Sequence, residues 1–214
     1  MKRIIFSKLK EHKSGNTIIK IIKENKAAVF FIFFLLLGMI FGTLCVGMAE
    51  DNIIENLDFL FASNFKIRSE QSLFEIFSTS LTSSFIFVII MLLLGLSIWG
   101  SLAVPAIVFF RGLGLGLTAG FLYSHYGAKG FLYHLVVLLP GVLISSIAIV
   151  LQAKESASFS IKLASKILPK GSLDKLWNKF KLYLLRTGYV FIILVISSVA
   201  DMLFTMLFSR YFNF

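Results

Sequence analysis

The sequence predicts an all-α fold: a polytopic membrane bundle of about five transmembrane helices, with amphipathic helices at the membrane surface. Three observations predict it. Stretches free of Asp, Glu, Lys and Arg recur along the chain, at residues 27–49, 76–110 and 130–153. Hydrophobic residues make up 57% of the 214 and charged residues only 15%. Soluble domains are about 45–50% apolar on a similar count, so the excess apolar surface here must face lipid. The positive charges, finally, gather in two segments that the apolar stretches separate.

A helix needs roughly 20 mostly apolar residues to cross a bilayer. Residues 27–49 supply the first span. The uncharged run 76–110 is too long for one straight helix, and Gly95, Gly100 and Pro105 punctuate it. Ser101 is placed to cap a new helix just before Pro105. Two spans are therefore expected there, at 81–99 and 103–124, joined by a short turn. The fourth is expected at 130–152 and the fifth at 187–208, which includes Asp201. Pro105 and Pro140 are expected to break their helices. A single membrane domain, 27–214, thus follows a basic segment, 1–26.

The loop charges test this count. Residues 1–26 hold eight Lys/Arg against two acids, and the loop 152–186 holds eight against two. The loop 49–80 holds two against six. With five spans, both basic segments fall on one side, which the positive-inside rule makes cytoplasmic. The N-terminus is then expected in the cytoplasm and the C-terminus outside, in a bacterial cell membrane. This distribution, rather than a basic groove, accounts for the net charge of +10, so no nucleic-acid partner is expected. The first apolar stretch exceeds the 7–15-residue core of a signal peptide and is expected to be retained.

Gly114-Leu115-Gly116-Leu117-Thr118-Ala119 has the look of a dinucleotide loop. Such a loop needs an acidic residue about 20 positions on, and the next acid is the distant Glu155. Gly112, Gly116 and Gly120 instead recur every fourth residue, which puts three small side chains on one helix face and lets another helix approach closely. Arg111 lies beside them, inside the third span. A charge at the bilayer centre costs about 2.5–3.5 kcal/mol on insertion scales. Two placements answer that cost: the stem snorkels to the cytoplasmic headgroups, or the guanidinium meets Asp201, about 9 Å away in depth at 1.5 Å per residue.

His125 and His134 lack the spacing of metal ligands. With Tyr123, Tyr126 and Tyr133 they fit an interfacial aromatic belt. No nucleophile elbow, zinc-protease motif or phosphate-binding loop occurs, so no enzymatic activity, cofactor or metal is expected. Leu173, Leu176, Trp177 and Phe180 share one helical face, with lysines opposite. Trp177 and Phe180 are expected at the interface, on anionic lipid, with Ser172 as the helix cap. In the outer loop, Ile53, Ile54, Leu57, Leu60 and Phe61 follow helical spacing and offer a face to an extracytoplasmic partner or to the bundle's own rim.

Taken together, Gly95-Leu96-Ser97-Ile98-Trp99-Gly100, Pro105, Arg111-Gly112 with Gly116 and Gly120-Phe121, Gly127 with Gly130, and Leu139-Pro140 resemble the stage II sporulation protein M family. The resemblance covers about residues 27–208. It implies a non-enzymatic role in spore formation, as a scaffold or anchor for cell-wall hydrolase partners during engulfment of the forespore. A transporter or permease subunit, with its site around Arg111 and the proline-broken helices, is the alternative.

Overall fold

The computed structural model describes residues 25–47, 72–167, 173–208 and 211. The expected helix over 53–61 lies outside them. The elements are α1 (Lys26–Val46), α2 (Leu73–Gly95), α3 (Gly100–Tyr133), a π-helical turn (His134–Leu138), α4 (Leu139–Ile167) and α5 (Leu173–Phe208). No strand occurs among the described residues. Among the described residues, five segments are long and apolar enough to cross a membrane: Lys26–Val46, Leu73–Gly95, Gly100–Ser124, Tyr126–Ser165 and Trp177–Phe208. The protein is a helical membrane bundle, with the expected number of spans and different boundaries.

The helix that carries the second span begins at Leu73, so residues 73–80, expected in the outer loop, are helical. A capping box starts it. Glu75 N–H donates to Ser72 Oγ at 3.3 Å, and Ser72 N–H donates to Glu75 Oε2 at 2.8 Å. The Ser72 hydroxyl thus satisfies a free donor of the first turn, and the Glu75 carboxylate satisfies the N–H of the cap residue.

Residues 96–99 turn the chain into α3. That helix starts at Gly100 with Trp99 in the cap position and no side-chain cap, so Ser101 does not cap it. Ser160 of α4 takes that part: its Oγ accepts from Ser101 N–H at 2.9 Å and donates to the carbonyls of Ser97 at 2.7 Å and Ile98 at 3.2 Å. Pro105 does not break α3. It lies near the helix start, where it removes a single backbone bond. The non-helical residue is Gly127, at φ 53° and ψ −131°. There the chain folds back, and Gly130 meets the backbone of Leu122 so closely that a β-carbon would collide with its carbonyl.

Pro140 does not break its helix either. It follows the π turn, where Leu139 N–H donates five residues back to His134 O. A proline ring presses on the carbonyl four residues earlier and supplies no N–H. The backbone accommodates both by widening to one π turn.

The largest departure is the basic segment 152–186. Its described part is a helical hairpin, because α4 runs on to Ile167 and α5 runs unbroken from Leu173 to Phe208. The amphipathic stretch around Trp177 is therefore the start of the fifth span rather than a separate surface helix. A buried polar network joins the two helices. Tyr183 Oη donates to the Leu92 carbonyl of α2 at 3.0 Å and lies 3.0 Å from Ser156 Oγ. Gln152 Nε2 donates to Ser156 at 3.1 Å and Tyr183 at 3.4 Å. Phe159 stacks on the Tyr183 ring, with centroids 4.7 Å apart. Arg186 pairs with Glu155 at 2.6 Å on the hairpin's side.

Helices α1 and α3 meet backbone to backbone. A β-carbon on Gly112 would strike the Leu35 carbonyl, and one on Gly116 the Met39 carbonyl. Gly120 lies against Val46 and Thr43. The contact is reciprocal, since Gly38 and Gly42 of α1 sit on the backbone of Phe109 and Leu113. Behind this seam, Val88, Met91, Val104, Val108, Ala148, Ile149 and Leu194 form a fully buried apolar core between α2, α3, α4 and α5.

Gly127 separates strain from packing, because no atom lies within 4 Å of where its β-carbon would stand. Gly127→Ala should still destabilise the protein by about 1–3 kcal/mol, the cost of a backbone conformation that L residues rarely adopt. An unfolding titration in mixed detergent micelles measures it, and an unchanged midpoint would count against the fold at this turn.

Candidate functional site

The glycine seam sets the rotation of α3 and so aims the residue next to it. Successive helical residues point about 100° apart. With Gly112 on α1, Arg111 reaches α2 instead. Its Nη1 donates to Ser83 Oγ at 3.0 Å and its Nη2 to Ser84 Oγ at 3.2 Å. The guanidinium carbon lies 5.3 Å from the centroid of the Phe87 ring. The side chain is 6% exposed. It does not snorkel to the surface. Hydrogen bonds to a charged group contribute about 1.5–3 kcal/mol each and a cation–π contact about 0.5–2. Together these offset the insertion cost of about 2.5–3.5 kcal/mol.

Asp201 comes from α5 and is 5% exposed. Its β-carbon and carboxylate fill the space that a side chain at Gly141 would need, and Ser197, one turn earlier, donates to the Gly141 carbonyl at 2.8 Å. The π turn contributes His134, 7% exposed, with the Tyr123 ring edge-on at 5.7 Å.

These groups converge on one cavity of about 60 Å³. Ser80, Ser83 and Ser84 line it from α2, Arg111, Gly114, Leu115 and Thr118 from α3, and His134 and Leu138 from the π turn. Gly141, Val142 and Ser145 of α4 and Asp201 of α5 complete the wall. Arg111 and Asp201 interact electrostatically, while the guanidinium's hydrogen bonds go to the two serines. Two buried nitrogens, Arg111 Nε and His134 Nδ1, have no hydrogen-bond partner. Among the described residues, no group of three or more His, Cys, Asp or Glu is arranged to hold a metal ion.

The residues singled out in the sequence fall into separate places. Gly112, Gly116 and Gly120 lie on the α1 side of α3, and Arg111 and Asp201 share the cavity. Pro140 precedes the lining residue Gly141, and Pro105 is buried outside the cavity. Trp177 is 58% exposed, with Lys181 Nζ 5.6 Å from its ring centroid. Phe180 packs toward Phe159 of α4, with centroids 6.2 Å apart. Tyr133 and His134 do not belong to a surface belt: both are buried, because the fold-back at Gly127 turns them inward. Ser83, Ser84 and Gly38-x3-Gly42 escaped the sequence reading. Their signals were the polar run Ser78-Thr79-Ser80-Leu81-Thr82-Ser83-Ser84 in an apolar span and a second four-residue glycine interval.

A double-mutant cycle measures the coupling across the cavity. Arg111→Ala and Asp201→Ala should each lower the amount of folded protein in the membrane, because each strands a buried charge. The double variant should be no worse than the poorer single one, a coupling of about 0.5–3 kcal/mol. Additive losses would show that the charges act independently.

No curated protein and no solved structure matches the chain. The family profile of stage II sporulation protein M does match it, over residues 27–206. That range begins at α1, ends within the last turns of α5 and contains every residue lining the cavity. The chain belongs to the stage II sporulation protein M family and is an integral membrane sporulation protein.

Proposed function

We propose that the protein is a non-enzymatic scaffold that anchors peptidoglycan-hydrolase partners in the membrane during engulfment. Family membership supplies the sporulation context. The observation that carries the choice of scaffold is the size of the central cavity, about 60 Å³. An engineered cavity of about 150 Å³ binds benzene, and this one is less than half as large, so it has room for water and not for a metabolite. The positive-inside rule supports a cytoplasmic side for the charged ends of α4 and α5, facing anionic headgroups, with Trp177 and Phe180 where the fifth span begins. Residues 49–71 then lie on the wall side, where hydrolase partners work.

The transport reading has one observation in its favour. Four helices bring Arg111 and Asp201 together beside the π turn that precedes Pro140, and transporters also place charged groups next to helix irregularities around a substrate. The volume weighs against it for any solute beyond a few waters.

A photocrosslinking residue placed between 49 and 71, in sporulating cells, should capture a wall hydrolase, and deletion should stall engulfment. Deletion that leaves engulfment intact and alters uptake or efflux of a solute would replace the scaffold with a transporter. Orientation has its own check. In a Cys45→Ser background, Asp58→Cys should react with a membrane-impermeant maleimide on intact cells, and Lys162→Cys should react only after lysis. The reverse pattern would invert the topology.

A further inference from the structure

The cavity combines two groups that are costly in lipid with atoms that remain unsatisfied. Arg111 Nε–H is buried and has no partner. Ser83 and Ser84 accept from the guanidinium and each retains a hydroxyl proton to donate. Ser145 spends its proton on the Val142 carbonyl at 3.0 Å and so lines the cavity as an acceptor. Asp201 adds a carboxylate, and His134 Nδ1 adds a second unpartnered nitrogen. The wall therefore mixes donors with acceptors, and its two formal charges cancel. An anion would meet Asp201, and a cation would meet Arg111. A neutral molecule that both donates and accepts fits each part of the wall.

Size narrows the ligand further. Liquid water occupies about 30 Å³ per molecule, so a cavity of about 60 Å³ holds at least two. A buried water needs two to four polar partners, and these groups supply them.

We propose that this cavity is a hydration site, in which bound water bridges the Arg111 guanidinium and the Asp201 carboxylate. Water satisfies the guanidinium edge that the serines leave open, and it keeps the carboxylate hydrated deep in the bundle. This assignment stands whether or not the protein is a scaffold.

The test uses full-length protein in lipid bilayers, with ¹⁵N-labelled arginine and valine, and water-to-protein magnetisation transfer in solid-state NMR. The Arg111 Nε–H signal is identified by its loss in Arg111→Lys. Transfer from water to this proton should clearly exceed that to the buried Val108 amide and approach that of the exposed Arg186. Transfer at or below the Val108 level would mean a dry cavity and overturn the proposal. Ser145→Leu, which fills the space, should remove the transfer at Arg111 and leave it at Arg186. If that variant does not fold, Ser145→Val takes its place, and the wild-type measurement decides in either case. Persistent transfer in a folded filled variant would place the water elsewhere. Exchanging chloride for gluconate should change nothing, and a signal that follows chloride would assign the site to an anion instead.

Discussion

Direct backbone contact between α1 and α3 is the constraint on which the other features depend. Lipid tails are as apolar as leucine, so burying leucine against leucine brings helices together only weakly in a membrane. Close approach, with many short van der Waals contacts, is the available substitute. Gly38 and Gly42 on one helix and Gly112, Gly116 and Gly120 on the other permit it. The face that makes this contact fixes how α3 is rotated. That rotation turns Arg111 away from α1, toward Ser83 and Ser84 of α2. A seam of glycines, with no charged side chain of its own, thereby decides where the charge goes.

The polar residues of the remaining helices answer a second constraint, that no backbone or side-chain donor is left bare in hydrocarbon. Ser160 satisfies the turn between α2 and α3, and Tyr183 satisfies the Leu92 carbonyl near the end of α2. Gly127 and the π turn at Pro140 bend the chain so that His134 and Gly141 face inward. Gly141 then leaves space for Asp201. Ser160 thus takes up the hydrogen bonds freed at the α2–α3 turn, and Asp201 fills the space left at Gly141. The polar groups tie the bundle together at one level through the Gln152–Ser156–Tyr183 network and at another around Arg111 and Asp201.

Hydropathy and loop charge made the number and order of the spans legible, because both depend only on composition along the chain. The face of α3 was legible too, since Gly112, Gly116 and Gly120 keep helical register. The boundaries were not. Glu75 ends an uncharged stretch but belongs to a capping box, and the charged residues 152–167 continue α4 well past the apolar core. A window of hydropathy reads charge as the end of a helix, although hydrogen bonding decides that end. Ser83, Ser84 and His134 were harder still. Nothing local to them says that α3 will present an arginine to the serines, or that a fold-back at Gly127 will bury the histidine.

The central claim is that backbone contact across α1 and α3 holds the bundle, and the molecule contains its own control. Gly188 has no atom within 4 Å of a β-carbon position, unlike Gly42 and Gly116. The stability of Gly42→Ala, Gly116→Ala and Gly188→Ala should be measured together by unfolding in mixed detergent micelles. Either seam substitution should cost about 1–3 kcal/mol, as overpacking does, while Gly188→Ala should be neutral or slightly stabilising. Equal midpoints for all three variants would contradict the account.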